Sequence, residues 1–125
     1  SKKVGYLLAK EGMDRISEGR GDFLPKATEL GIQFLSKDNQ PFFLMSEGSQ
    51  IDWGGHDNDA PYLVSELIDF DDTIGKVLDF AEQDGNTLAS LNLIMKKLYL
   101  LDLRSHGLGQ LGKIDLFTII EITLL

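Results

Sequence analysis

Hydrophobic and polar positions follow two rhythms along the first two-thirds of the chain. Val4-Gly5-Tyr6-Leu7-Leu8 opens a mostly apolar run over residues 4–9, closed by Lys10, Glu11 and Gly12, which predicts a first buried strand. From Leu24 to Lys37 the period lengthens. Leu24, Ala27, Leu30 and Phe34 recur at three- and four-residue steps, with Ile32 and Leu35 widening the face, Asp22 as a cap and Pro25 in the first turn. Asp38-Asn39-Gln40-Pro41 predicts a turn, and Phe42-Phe43-Leu44-Met45 a short strand buried on both faces. A second helix follows, capped by Asn58 or Asp59 with Pro61 in its first turn. Its stripe is Leu63, Leu67, Phe70, Ile74, Val77 and Ala81, backed by Val64, Ile68 and Leu78. Glu66, Asp69, Asp71, Asp72 and Asp79 fall mostly off that stripe and read as a solvated face. Gly85-Asn86 ends the helix, and another strand begins by residue 88. Strand, helix, strand, helix, strand is the order of an α/β domain, and it predicts part of a mostly parallel sheet flanked by helices.

The last third changes character. Residues 1–88 carry 8 basic against 17 acidic side chains, and residues 89–125 carry 4 against 3, which places an expected boundary between an α/β segment 1–88 and a divergent C-terminal segment 89–125. "LNLIMKKLYLLDL" fits a helix through Leu91, Met95 and Leu98. "IDLFTIIEITLL" is rich in β-formers and reads as a strand or an aggregation-prone tail.

Charge and composition narrow the function. A net charge of −8 disfavours nucleic acid, whose phosphates attract basic surfaces, and would suit a divalent cation. With no cysteine, disulfides and thiolate metal sites are excluded. No stretch reaches the roughly 18 consecutive apolar residues expected of a membrane span. The opening "SKKVGYLLAK" shows no signal-peptide pattern and begins as if inside a protein. Arg20-Gly21-Asp22 matches a cell-adhesion triplet, a match short enough to arise by chance.

The chemistry concentrates in "FLMSEGSQIDWGGHDND", residues 43–59. Glu47 lies just past the C-terminal end of the Phe42–Met45 strand, where open parallel sheets place ligands. Asp52 and His56 are four apart, so one helical turn or a tight loop would aim both at one point. A carboxylate with an imidazole is a usual partial set for zinc, and a lone carboxylate suits magnesium. The plainer alternative makes Asp52 a turn cap and His56 a surface residue. Asp57, Asn58 and Asp59 read as capping residues, Trp53 as packing or as a substrate-facing wall, and Gly48, Gly54 and Gly55 as places of close backbone approach.

The ordered block "FFLMSEGSQIDWGGHDNDAPYLVSELIDFDDTIGKVLDFAEQDGNTL" resembles the central motif block of bacterial alkaline phosphatases: a strand, an apolar-Glu-Gly step, "ID", a His four residues after the Asp, a long acidic helix and "GNTL". The resemblance covers about residues 3–88, with Ser46 in place of the usual apolar residue. It implies a metal-dependent phosphomonoester hydrolase in which a serine attacks and two zinc ions clamp the attacking and leaving oxygens. It further implies Glu47 as a magnesium ligand, Asp52 and His56 as ligands of one zinc, a possible homodimer, and a periplasmic or secreted location.

Parts of the family pattern have no counterpart. The Asp-Ser block that holds the nucleophile is absent, so no catalytic residue is assigned, and Ser49 stands where the family does not attack. Where the family continues into Thr-Ala-Asp-His, this chain reads "ASLNLIMKKLYLLDLRSHGLG", and His106 precedes a glycine in an unrelated context. An incomplete, inactive chain with a replaced C-terminus, through a frame change, fusion or truncation, is the resulting expectation. The alternative is a non-catalytic α/β module that binds a divalent cation or a protein partner.

Overall fold

The computed structural model describes residues 3–38, 40–94 and 117–124. A 3₁₀ turn at Ile16–Glu18 leads into α1 (Phe23–Ser36), β1 (Phe43–Glu47), α2 (Gln50–Asp57), α3 (Ala60–Asp84), β2 (Thr87–Ile94) and β3 (Phe117–Leu124). The expected α/β mixture is present, and both long helices stand where the periodicity puts them.

Local chemistry explains their ends. Asp59 caps α3 by accepting from the Tyr62 backbone N–H at 3.1 Å, and Pro61 occupies the first turn, where no intrahelical partner is needed. Gly85 closes the helix at φ 72°, a left-handed conformation that a side chain would strain, and its N–H donates to the Ala81 carbonyl. Asp22, expected to cap α1, makes no cap bond. Its carboxylate instead pairs with Lys26 one turn on, at 2.9 Å. That hydrogen bond holds the Asp22 carboxyl below its ordinary range.

The sheet differs from expectation. Its order is β1-β3-β2 and both pairings are antiparallel, Phe43 opposite Thr123 in one and Leu88 opposite Thr123 in the other. β1 and β2 run the same way, as an α-helical crossover requires, but β3 lies between them, so no parallel pair forms among the described residues. The expected strand at residues 4–9 is not a strand: Val4, Tyr6, Leu7 and Leu8 are exposed, and among the described residues no ladder partner satisfies their backbone. β1 is buried on one face only. Leu44 and Ser46 turn toward the helices, while Phe43 and Met45 face outward. Leu91 belongs to β2 rather than to a helix, whereas Met95, Leu98 and His106 lie outside the described residues.

The core forms between α1, α2, α3 and the inner sheet face, from Ile32, Ile51, Phe70 and Val77, with Leu24, Leu44, Leu63, Ile74 and Ala89 packed around them. Phe42 and Phe80 close one edge with ring centroids 6.2 Å apart. The buried line of α1 is Pro25, Thr28 and Ile32, so Leu30 and Phe34, expected inward, are exposed. Thr28 is accommodated because its hydroxyl bonds that of Ser46 at 2.8 Å across the helix–strand contact. On α3, Val64, Leu67, Ile68 and Leu78 likewise face outward, and Glu66 and Asp69 are buried instead. No helix among the described residues is long and apolar enough to cross a membrane.

Candidate metal centre

The strand β1 delivers Glu47 to the rim of the helix layer, and the chain must then turn sharply over Phe70. Gly48 makes that possible: a Cβ there would lie 2.8 Å from the Phe70 ring and 3.1 Å from Ile51 Cδ1. Two turns of helix follow. Gly54 lets α2 seat against the start of α3, because a Cβ would meet the Leu63 backbone nitrogen at 2.9 Å. The close approach expected of these glycines is therefore the approach of α3. Asn58, at φ 53°, ends α2 in the left-handed conformation that asparagine tolerates.

Asp52 and His56 stand one turn apart on α2, with Asp52 Oδ2 and His56 Nε2 separated by 3.2 Å. His56 is 46% exposed and Asp52 20%, so the pair is reachable from solvent. The spacing fits a shared ion: two ligands each about 2.0 Å from zinc at a tetrahedral angle stand roughly 3.3 Å apart. It equally makes an ion pair when His56 is protonated. Glu47 is exposed and turned to a different cavity, of about 280 Å³, shared with Glu11, Arg20, Ser49 and Glu66. His56 instead lines a cavity of about 310 Å³ with Asp14, Arg15, Glu18, Asp57 and Tyr62. Trp53 borders both. Its ring lies against Gly12, where a Cβ would come within 2.9 Å, so packing is one of its roles while half its surface stays open. Among the described residues no group of three or more His, Asp or Glu side chains converges on one point.

Polar groups outside the expected set hold this region together. Arg20 donates to the Asp14 carbonyl, to Glu66 and, at 3.0 Å, to Asp69, and the Arg20, Glu66 and Asp69 side chains are each at least nine-tenths buried. Of the Arg20-Gly21-Asp22 triplet, Arg20 thus serves the interior, while Gly21 and Asp22 are exposed. Glu66 also accepts from the Ile16 N–H, anchoring the 3₁₀ turn. Arg15 reaches Asp57 at 2.8 Å and lies 3.9 Å above the Tyr62 ring. Burial pushes the Asp69 carboxyl above its ordinary range, with the Arg20 guanidinium opposing, and burial likewise raises the Tyr62 hydroxyl. The sequence signal for Glu66 and Asp69 was their helical spacing: with Tyr62, Phe70, Thr73 and Val77 they form one stripe.

A carboxylate–imidazole pair on a short helix, with a separate carboxylate at a strand end, makes this α/β frame a candidate for binding divalent ions. A family model described as alkaline phosphatase matches residues 9–91, and the chain belongs to the alkaline phosphatase family. It is 49% identical over 84 residues to alkaline phosphatase 3 of Bacillus subtilis (strain 168), covering 66% of this chain and 18% of that protein. It is 36% identical over 72 residues to the alkaline phosphatase of Escherichia coli (strain K12), covering 55% and 15%. Among solved structures, the alkaline phosphatase from the Antarctic bacterium TAB5 superposes with a TM-score of 0.68 at 44% identity, over 98% of this chain and 39% of that one. A variant of that enzyme, with magnesium bound in its M3 site, superposes with a TM-score of 0.66 at 43% identity. The chain therefore spans less than a fifth of the length of these curated relatives.

Proposed function

We propose that this chain is the metal-binding segment of a phosphomonoester hydrolase, with Asp52 and His56 holding zinc and Glu47 holding magnesium. The observation that carries the reading is the 3.2 Å approach of Asp52 to His56 inside the matched segment. Bound divalent ions supply Lewis-acid stabilisation of phosphoester oxygens. The chain's own part is to hold those ions: α2 presents two donors from adjacent turns, and β1 presents Glu47 separately, as sites for two different ions require. In this reading residues 1–88 form the phosphatase-like unit and 89–125 a divergent segment. The 125 residues alone bind metal without turning over, because the family's Asp-Ser nucleophile block and its Thr-Ala-Asp-His ligands have no counterpart in them. A non-catalytic α/β module that binds a divalent cation or a protein partner is the second reading, motivated by the lack of a counterpart to the family's nucleophile block in these 125 residues.

Zinc titration of the 125-residue chain and of His56→Ala tests the binding. Saturable binding by the first and its loss in the second are expected, and equal binding by both would sink the assignment. Hydrolysis of an aryl phosphate at alkaline pH with zinc and magnesium tests whether the chain is active by itself. No turnover is expected of the isolated chain, and turnover abolished by Asp52→Ala would show the segment to be an enzyme in itself.

A further inference from the structure

We infer that Gln50 is a positioning residue for the Asp52–His56 pair, an inference that rests on the zinc reading above. Gln50 is the first residue of α2, and at 7% exposure it is a buried polar side chain whose amide is used at both ends. Its Nε2 donates to the Met13 carbonyl at 2.6 Å, and its Oε1 accepts from the Tyr62 hydroxyl. One side chain thus joins three segments: the loop before the 3₁₀ turn, the N-terminus of α2 and the first turn of α3. Such a tether matters here because α2 has only eight residues and Ser49, just before it, makes no side-chain cap bond. The other end of α2 is set by Gly54 against Leu63 and by the Asp59 N–H donating to the Gly54 carbonyl at 3.1 Å. With both ends fixed, the first turn of α2 is kept from fraying, and fraying there would draw Asp52, which lies in that turn, away from His56 in the next. Tyr62 is itself held, packed beneath the Arg15 guanidinium, so the clasp has a firm anchor.

The clasp's two hydrogen bonds go to Met13 and Tyr62, so its effect belongs to affinity and geometry rather than to the ligand count. Gln50→Met keeps the length of the side chain and removes both hydrogen bonds. Tyr62→Phe removes one of them from the opposite side. Zinc and cobalt(II) titrations of the full 125-residue chain, at a temperature where circular dichroism shows every variant folded, supply the readouts. Gln50→Met is expected to weaken zinc binding about tenfold, the low end for residues that orient metal ligands, and to alter the visible cobalt spectrum. Tyr62→Phe is expected to weaken it about threefold. The double variant should lose less than the product of the two, because the pair shares one bond. If wild type binds zinc and Gln50→Met binds it equally well with the same cobalt spectrum, the positioning role is overturned and the metal reading stands. A loss wholly accounted for by the unfolded fraction overturns it as well. If wild type binds no zinc, the metal reading fails and takes the positioning role with it.

Discussion

Arg20 reaches Asp69 at 3.0 Å across 49 positions of sequence, and the same guanidinium nitrogen also serves Glu66. One buried cation therefore answers two buried carboxylates, and it ties the loop that walls both cavities to the middle of α3. Breaking such an arrangement from the cationic side leaves two uncompensated charges in a poorly solvated place. Arg20→Met should accordingly destabilise the chain by about 3–5 kcal/mol, measured by urea unfolding. Trp53 fluorescence is the natural probe, because the indole rests on Gly12 in the loop that Arg20 holds. A loss below about 1 kcal/mol would mean that the triad is not formed in solution.

The imbalance within that triad gives a pH dependence of unusual sign. The Asp69 carboxyl is raised above its ordinary value of 3.8, chiefly by burial, so the folded chain binds its proton more tightly than the unfolded chain does. The stability this proton supplies is fully present below 3.8 and is lost as pH rises through the folded value. Wild type should thus lose stability relative to Asp69→Asn as pH increases from about 4 toward 7. Asp69→Asn leaves Arg20 and Glu66 as a one-to-one pair. Unfolding free energies of both chains across this range decide the matter, and a difference that grows in favour of wild type with pH would contradict it.

Two glycines should respond oppositely to alanine. Gly54 faces the Leu63 backbone, where an added Cβ would come within 2.9 Å, so Gly54→Ala must push α2 off α3 at a cost of about 1–3 kcal/mol. Gly75 lies inside α3, and a methyl group there would meet nothing within 4 Å. Gly75→Ala should stabilise by about 0.5–1 kcal/mol, through helix propensity and reduced freedom of the unfolded chain. Thermal unfolding of the two variants checks both signs at once.

What could be read from residues alone was what short-range rules govern. α3 announced itself through Asp59, Pro61 and Gly85, all local signals, and Asp52 with His56 needed only the four-residue step of one helical turn. Partners distant in sequence could not be read this way. The slot between β1 and β2 is filled by residues 117–124, and hydropathy can mark that segment as a strand without saying where it pairs or in which direction. Val4–Leu8 has the apolar content of a strand but no neighbouring ladder among the described residues. Glu66 and Asp69 looked solvated because acidic residues on a helix usually are. Arg20, 46 and 49 residues away, with the Ile16 N–H on Glu66, makes their burial tolerable. Gln50 escaped notice for the same reason, since its two partners belong to other elements.

The buried hydroxyl pair between α1 and β1 offers a test of how polar groups are tolerated in this core. Thr28 and Ser46 satisfy each other at 2.8 Å. Thr28→Val keeps the shape but leaves the Ser46 hydroxyl without that partner, at about 1–3 kcal/mol. Adding Ser46→Ala removes the orphan, so the double variant should recover part of the loss. Denaturant unfolding of the three variants gives the coupling directly, and strictly additive losses would show that the hydroxyls are not paired.

The separation of Glu47 from the Asp52–His56 pair predicts that two ions can be disturbed independently. Glu47 sits at the end of β1 and opens to one cavity, whereas His56 opens to the other, with Trp53 between them. Asp52→Asn keeps the shape of the side chain but removes the negative charge that zinc requires of it, and should weaken zinc binding by at least about tenfold. Glu47→Gln should leave zinc affinity within about twofold of wild type while weakening magnesium binding by a comparable tenfold, since the carboxylate charge is what the harder ion selects. Titration of each variant with each metal forms a two-by-two comparison whose off-diagonal elements carry the information. If Glu47→Gln lowers zinc affinity as much as Asp52→Asn does, the three residues serve one ion, and the two-ion arrangement proposed for this segment is wrong.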